Sequence, residues 1–166
     1  MTIEAGDWTK FWDLIKDIKF AMFTARHGDG KLHSRPMTTL NGRDERGGVL
    51  WFFMLKGGEP ALDIARDAEV NVAYADPASD AYVSVSGTAR LVEDSAKKKA
   101  LWNPLAQAWF PGGASDPDLA LVAVTIEHAE YWDVRSNKGV KLYEIAKAAV
   151  TGTRPNLGEH REIRVR

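Results

Sequence analysis

AYVSVSGTARLVED, residues 81–94, alternates apolar Val83, Val85, Ala89 and Leu91 with polar Ser84, Ser86, Thr88 and Arg90. A period of two sends the two sets to opposite faces, so the segment reads as a strand with one buried and one polar side. Gly87 in its middle predicts a bulge or a close approach of another backbone. Such a strand needs neighbours, and the chain offers FAMFTA (20–25), LHSRPMTTL (32–40), VLWFFML (49–55) and VNVAYA before it, with LALVAVTIEHAEYWDV (119–134) after it. Asp29-Gly30 between the first two is a hairpin signal, and NGRDERGG (41–48) makes the next turn, so the first three strands read as a meander. The last strand is long and is expected to bend near Glu127 to Glu130.

Helices fill the connections. Trp8, Phe11, Trp12, Ile15 and Ile18 recur at steps of three and four, on a helix that Asp7 could cap. Pro60 sits early in EPALDIARDAE, where its missing amide is harmless. Ser95 to Trp102 is helical, Asn103-Pro104 restarts a short helix to about Trp109, and Pro111-Gly112-Gly113 ends it. Lys138 to Val150 reads as an amphipathic helix, capped from Ser136 or Asn137, with Leu142, Ile145, Ala146 and Ala149 inward. The remainder is polar, contains Gly and Pro, and is expected to be loose. The implied fold class is mainly β with peripheral helices: about six antiparallel strands forming a barrel, with a domain over residues 1–150 and a C-terminal tail over 151–166.

The 166 residues are 45% hydrophobic and 27% charged, with a formal net charge of -1, which argues against a general nucleic-acid binder. The basic run Lys97 to Lys99 reads as a solvated face. With no cysteine, thiol nucleophiles, disulfides and zinc-thiolate sites are excluded. No apolar run is long enough to span a bilayer and no basic leader opens the chain, so a cytoplasmic location is expected and no membrane partner is.

The usual catalytic signatures are missing. The four histidines show no HxH or HExxH spacing, so no metal site is expected, and no glycine motif matches a phosphate loop. A triad of Ser34, His33 and Asp29 fails because neighbouring strand residues point to opposite faces. On 31–39, however, His33, Arg35 and Met37 share one face. A guanidinium beside an apolar side chain suits a ligand with a phosphate at one end and an apolar ring at the other. Pro36 donates no ladder hydrogen bond, which places it at an edge or in a locally unpaired stretch. An edge strand guarded by charge and proline explains the same residues. The rings of Trp51, Phe52, Phe53, Trp102, Trp109, Phe110, Tyr131 and Trp132 either fill the core and a subunit contact or line a flat cavity.

SRPM (34–37), LWFFM (50–54), VNVAYA and VSVSGTARLVED together resemble the flavin-binding split-barrel superfamily of pyridoxamine 5'-phosphate oxidase. LWNPLAQAWFPGG (101–113), DPDLALVAV, EYWD and KLYEIAKAAVTG resemble its bacterial general stress protein 26 group. The likeness runs over roughly residues 8 to 153. It implies a six-stranded antiparallel split barrel, a homodimer, and two sites for FMN, with FAD as the alternative, at the dimer interface. It also implies that Arg35 meets the phosphate side and that the backbone of Pro36 and Met37 meets the ring edge. Phe52, Phe53 and Met54 then belong to the strand over ribityl and ring, Lys56 to the phosphate end, and Trp109 and Trp132 lie near the flavin from across the interface.

Three departures bear on those implications. Leu40 stands where the oxidases have a basic residue, Gly58-Glu59-Pro60 replaces a Ser-Arg-Lys run, and Met54 replaces a threonine. Each lost charge-assisted bond to phosphate costs about 1.5–3 kcal/mol. The tail HREIRVR lacks the substrate-binding end of true pyridoxamine 5'-phosphate oxidases, so that activity is not expected. Three functions stay open: a flavin-dependent oxidoreductase on a small molecule, a non-catalytic flavin-binding or buffering stress protein, and a dimeric barrel that has lost its flavin. His33 is the one candidate acid or base nearby.

Overall fold

The computed structural model describes residues 5–134, 138–156 and 158–165. One antiparallel sheet carries the chain, with strands β1 (Ala21–Arg26), β2 (Leu32–Met37), β3 (Val49–Leu55), β4 (Glu69–Asp76), β5 (Ala81–Val92), β6 (Leu119–Asp133) and β7 (Glu159–Arg164). The order along it is β2-β1-β4-β5-β6-β3, with β7 paired to β6. Helices α1 (Ala5–Ile15), α2 (Glu59–Arg66), α3 (Ser95–Leu101), α4 (Pro104–Trp109) and α5 (Lys138–Thr151) occupy the connections. This is the expected split barrel with peripheral helices.

Local chemistry explains most elements. The β1–β2 turn closes through His27 N–H to the Lys31 carbonyl and Gly30 N–H to the His27 carbonyl, with Gly30 in the left-handed region. The β5–β6 ladder shifts register beside Gly87, where Glu127 is the extra residue between partners Ile126 and His128. A Cβ at position 87 would run into the Thr125 carbonyl oxygen, so Gly87 serves both expected purposes: a bulge and a close backbone approach. Asn103 caps α4, its Oδ1 accepting from Ala106 N–H at 3.0 Å, with Pro104 at the first turn.

Phe11, Trp12, Phe23, Phe52, Val72, Val85 and Val124 belong to the barrel core, which α1 closes at one side. Phe11 stands edge-on to Trp8, as the helical spacing predicts, and also to its chain neighbour Trp12. A second, smaller core of Phe53, Leu101, Ala106, Leu119 and Leu121 lies on the outside of β3 and β6, roofed by α3 and α4.

Several expectations are corrected. The first three strands are not a meander: β3 pairs with β6, so β2 and β3 are the two ends of the sheet path. Among the described residues there are seven strands rather than about six, because the tail expected to be loose forms β7, whose Ile163 is 3% exposed in the barrel core. Helix α1 begins at Ala5, ahead of the Asp7 expected to cap it, and the proposed caps of α5 at Ser136 and Asn137 lie outside the described residues. The stripe Leu142, Ile145, Ala146 and Ala149 of α5 is exposed, while Lys141 and Glu144 turn toward the body, Lys141 pairing with Asp80. Leu91, near the end of β5, is exposed as well. Lys98 is buried rather than solvated, donating to the Leu119 carbonyl at 2.7 Å, and Lys97 lies over the Trp51 ring.

Candidate functional site

The two ends of the sheet path define a seam. Leu40 N–H donates to the Trp51 carbonyl, and Asn41 completes the bridge, its Oδ1 accepting from Trp51 N–H at 2.9 Å and its Nδ2 donating to Val49. Trp51 thus turns both backbone groups away from β6 and toward the seam. By the alternation of an antiparallel ladder, Phe53 does the same two residues on. Among the described residues no backbone group bridges to Phe53 across the seam. The seam opens there into a cleft of about 400 Å³.

Pro36, Met37, Thr38 and Leu40 form one wall of the cleft. Phe53, Met54 and Leu55 form another, and Gly58 and Pro60 at the start of α2 close one end. Asn103, Leu105, Ala106, Trp109 and Phe110 form the outer wall, and Phe20 completes the lining. Phe53 holds this wall in place, with its ring centroid 5.6 Å from Trp102 and 6.2 Å from Phe110. Trp109 is 64% exposed at the rim. Among the described residues the lining has no charged side chain; Thr38, Asn103 and the Trp109 indole supply its polar groups. Such a space takes a flat, largely apolar ring and offers sheet-edge backbone to the ring's polar border.

Beside the cleft, β2 turns His33, Arg35 and Met37 to one face, opposite Ala25, Phe23 and Ala21 of β1. Met37 packs on the barrel core, and the two polar side chains meet α2. Glu59 and Asp63 are one turn apart on that helix. Arg35 donates to Glu59 at 2.6 Å and reaches the fully buried Asp63 at 3.4 Å. Asp63 also accepts from Arg66 at 2.6 Å and meets His27 Nδ1 at 3.0 Å. His27 stacks on His33 at 4.3 Å. Asp29, held below the usual carboxylate range mainly by the Lys31 backbone N–H, faces His33 at 3.6 Å. In the barrel core, burial pushes the Tyr74 phenol up, against a 2.6 Å hydrogen bond shared with Thr39.

Of the residues singled out from sequence, Pro36, Met37, Phe53, Met54 and Trp109 come together around the cleft. The other candidate flavin contacts, Arg35, Phe52, Lys56 and Trp132, do not line it. Arg35 is next to Pro36 but tied to α2, and Phe52 points into the barrel core edge-on to Phe23, because it alternates with Phe53. Lys56 pairs with Glu93 at 3.1 Å. Trp132 stacks on His160 of β7, 5.1 Å between centroids. Ser34 bonds Thr24 on the face opposite His33, which disposes of the triad. Phe110, one of the rings read from sequence as filling a core or lining a flat cavity, is a wall residue. Sequence reasoning missed Phe20, Thr38 and Leu105 as wall residues; for Phe20 and Thr38, which flank strands, there was no signal.

The fold and the seam cleft define the class as an antiparallel split barrel with an apolar slot where the barrel fails to close. The family described as Pyridoxamine 5'-phosphate oxidase like matches residues 6–156, and the chain belongs to it. Among curated proteins, Protein bli-3 of Neurospora crassa is 30% identical over 155 residues, which is 87% of this chain and 73% of that protein. Among solved structures, a candidate general stress protein 26 from Jannaschia sp. CCS1 is 28% identical with a TM-score of 0.76, covering 98% of this chain and 100% of that one. The general stress FMN/FAD binding protein of Xanthomonas citri is 35% identical with a TM-score of 0.66, covering 77% and 89%.

Proposed function

We propose that this protein binds flavin, FMN in the first place, with the isoalloxazine ring in the seam cleft and the phosphate toward Arg35. The observation that carries the reading is the cleft itself: apolar walls from Met37, Phe53 and Phe110 stand beside backbone groups of Phe53 that no strand uses. The ring end fits these residues well. At the proposed phosphate end stands Arg35, next to Pro36 of the lining, and Glu59 occupies it. Phosphate therefore competes with Glu59 for the guanidinium, which favours FMN binding of moderate strength.

The exposed apolar stripe of α5, together with Met22, Leu32 and Tyr82 on the outside of the sheet, supports a homodimer. Trp132 and Trp109 would then reach a flavin from the partner's side. A bound flavin supplies the redox chemistry, and the chain's part is to hold the ring, shield it from water and present its edge. The described lining holds no titratable side chain, which supports a role in holding flavin in a stress response as the second reading, beside small-molecule oxidoreduction in the cytoplasm.

The test is a visible absorption spectrum of purified protein after incubation with FMN or FAD and desalting. About one flavin per chain, with perturbed bands, is the expected result, and bands lost equally with both flavins would refute the proposal. Bleaching of those bands by reduced nicotinamide separates oxidoreductase from holding protein.

A further inference from the structure

Between the β1–β2 hairpin and α2, outside the seam cleft, His27, His33 and Glu59 each present a ligand atom within 4.8 Å of the others. Among the described residues this is the group in which three such side chains converge. We propose that it is a binding site for a divalent transition metal of the kind that favours imidazole, with zinc as the reference ion. The inference is independent of flavin binding.

Four observations support it. First, His27 Nδ1 is held at 3.0 Å by Asp63, a fully buried carboxylate. That is the outer support a metal-binding imidazole has, and it leaves the lone pair on Nε2. Second, the ligand types are right: two imidazoles and one carboxylate, with a fourth position left for water. Third, the charge is favourable. Asp29, Glu59 and Asp63 carry three negative charges against two on Arg35 and Arg66, so a cation enters a net negative cluster. Fourth, the residues can close. Zinc bonds of about 2.0–2.1 Å bring ligand atoms to roughly 3.3 Å from one another. Closing on an ion draws Glu59, with a side chain 65% exposed, away from Arg35 and turns His33, on an edge strand, out of its stack on His27. A bound ion would pin the hairpin to α2 and compete with Arg35 for Glu59.

The experiment is calorimetric titration of chelator-washed full-length protein with ZnCl2, together with thermal melts. One zinc per chain is expected, with a Tm rise of roughly 5–10 °C at a hundredfold excess over Kd. H33Q and E59Q alter a half-buried and an exposed side chain outside the core clusters, and each should weaken binding at least tenfold. The double variant H128Q/H160Q removes the two histidines that pair with Glu162 and Glu130 on β6 and β7, and it should bind zinc as the unmodified chain does. No binding overturns the proposal. So does an affinity within twofold in both H33Q and E59Q, or a loss that follows His128 and His160.

Discussion

Replacing Glu59 by Gln tests how the phosphate end of the site works. In the structure Arg35 donates to Glu59 at 2.6 Å, so a phosphate seated on that guanidinium lies roughly 5 Å from the carboxylate. The Glu59 side chain is 65% exposed, which calls for a dielectric near that of water. At ~80, two unit charges about 5 Å apart repel by roughly 0.8 kcal/mol. A phosphate monoester carries about −1.5 to −2 at pH 7, so removing the glutamate charge relieves about 1.2–1.7 kcal/mol. Salt screening trims the lower end to about 1 kcal/mol.

FMN binding by Glu59→Gln should therefore tighten roughly 5–20-fold. Riboflavin, which has the same ring and no phosphate, should bind the variant and the unmodified protein within twofold of each other. The exposed ion pair itself contributes at most about 1 kcal/mol to folding, so the fold survives the change. Quenching of flavin fluorescence during titration of chelator-washed protein gives both constants, at low and at high salt. A gain for FMN that shrinks at high salt supports the assignment. An FMN constant unchanged within twofold, or an equal gain for riboflavin, would refute the placement of phosphate on Arg35.

Three further outcomes are expected. Gly87→Ala drives a Cβ into the Thr125 carbonyl and should cost about 1–3 kcal/mol; an unchanged urea midpoint would show that the bulge is not as described. Ile163→Ala should cost about 2–5 kcal/mol because its side chain is buried in the barrel core, whereas a change under about 0.5 kcal/mol would mean that β7 is not docked. Trp109→Ala at the exposed rim should leave stability within about 0.5 kcal/mol, measured by thermal melt, while lowering flavin affinity or dimerisation; both unchanged would reduce Trp109 to a surface residue.

What could be read from the sequence was local. Asn103-Pro104, Asp29-Gly30 and Gly87 each carry their own stereochemical instruction, and all three elements formed where that instruction put them. Features decided by distant pairing were not readable. Strand β7 looked loose because HREIRVR is charged, yet neighbours on β6 answer two of its polar residues: His128 meets Glu162, Glu130 meets His160, and Trp132 stacks on His160. Only Ile163 and Val165, two apart, signalled a buried side. The apolar stripe of α5 was assigned inward on the premise that apolar faces find cover within one chain. Lys141 and Glu144 took that side instead.

The position of the cleft follows from the same contrast. The chain runs directly from β2 to β3, yet the sheet path sets them at opposite ends, because β1 pairs with β4 and β3 with β6. Closing the barrel would require β2 to bond β3, and Pro36 lacks the amide to do so. The bridge at Leu40 and Asn41 closes the seam only as far as Trp51. Beyond it, Phe53 keeps its backbone groups facing a gap that α4 roofs with Trp109 and Phe110. Pro36, read from sequence as an edge or locally unpaired residue, is therefore one reason the barrel stays open, and the open seam is the gap in which we propose that the flavin ring sits.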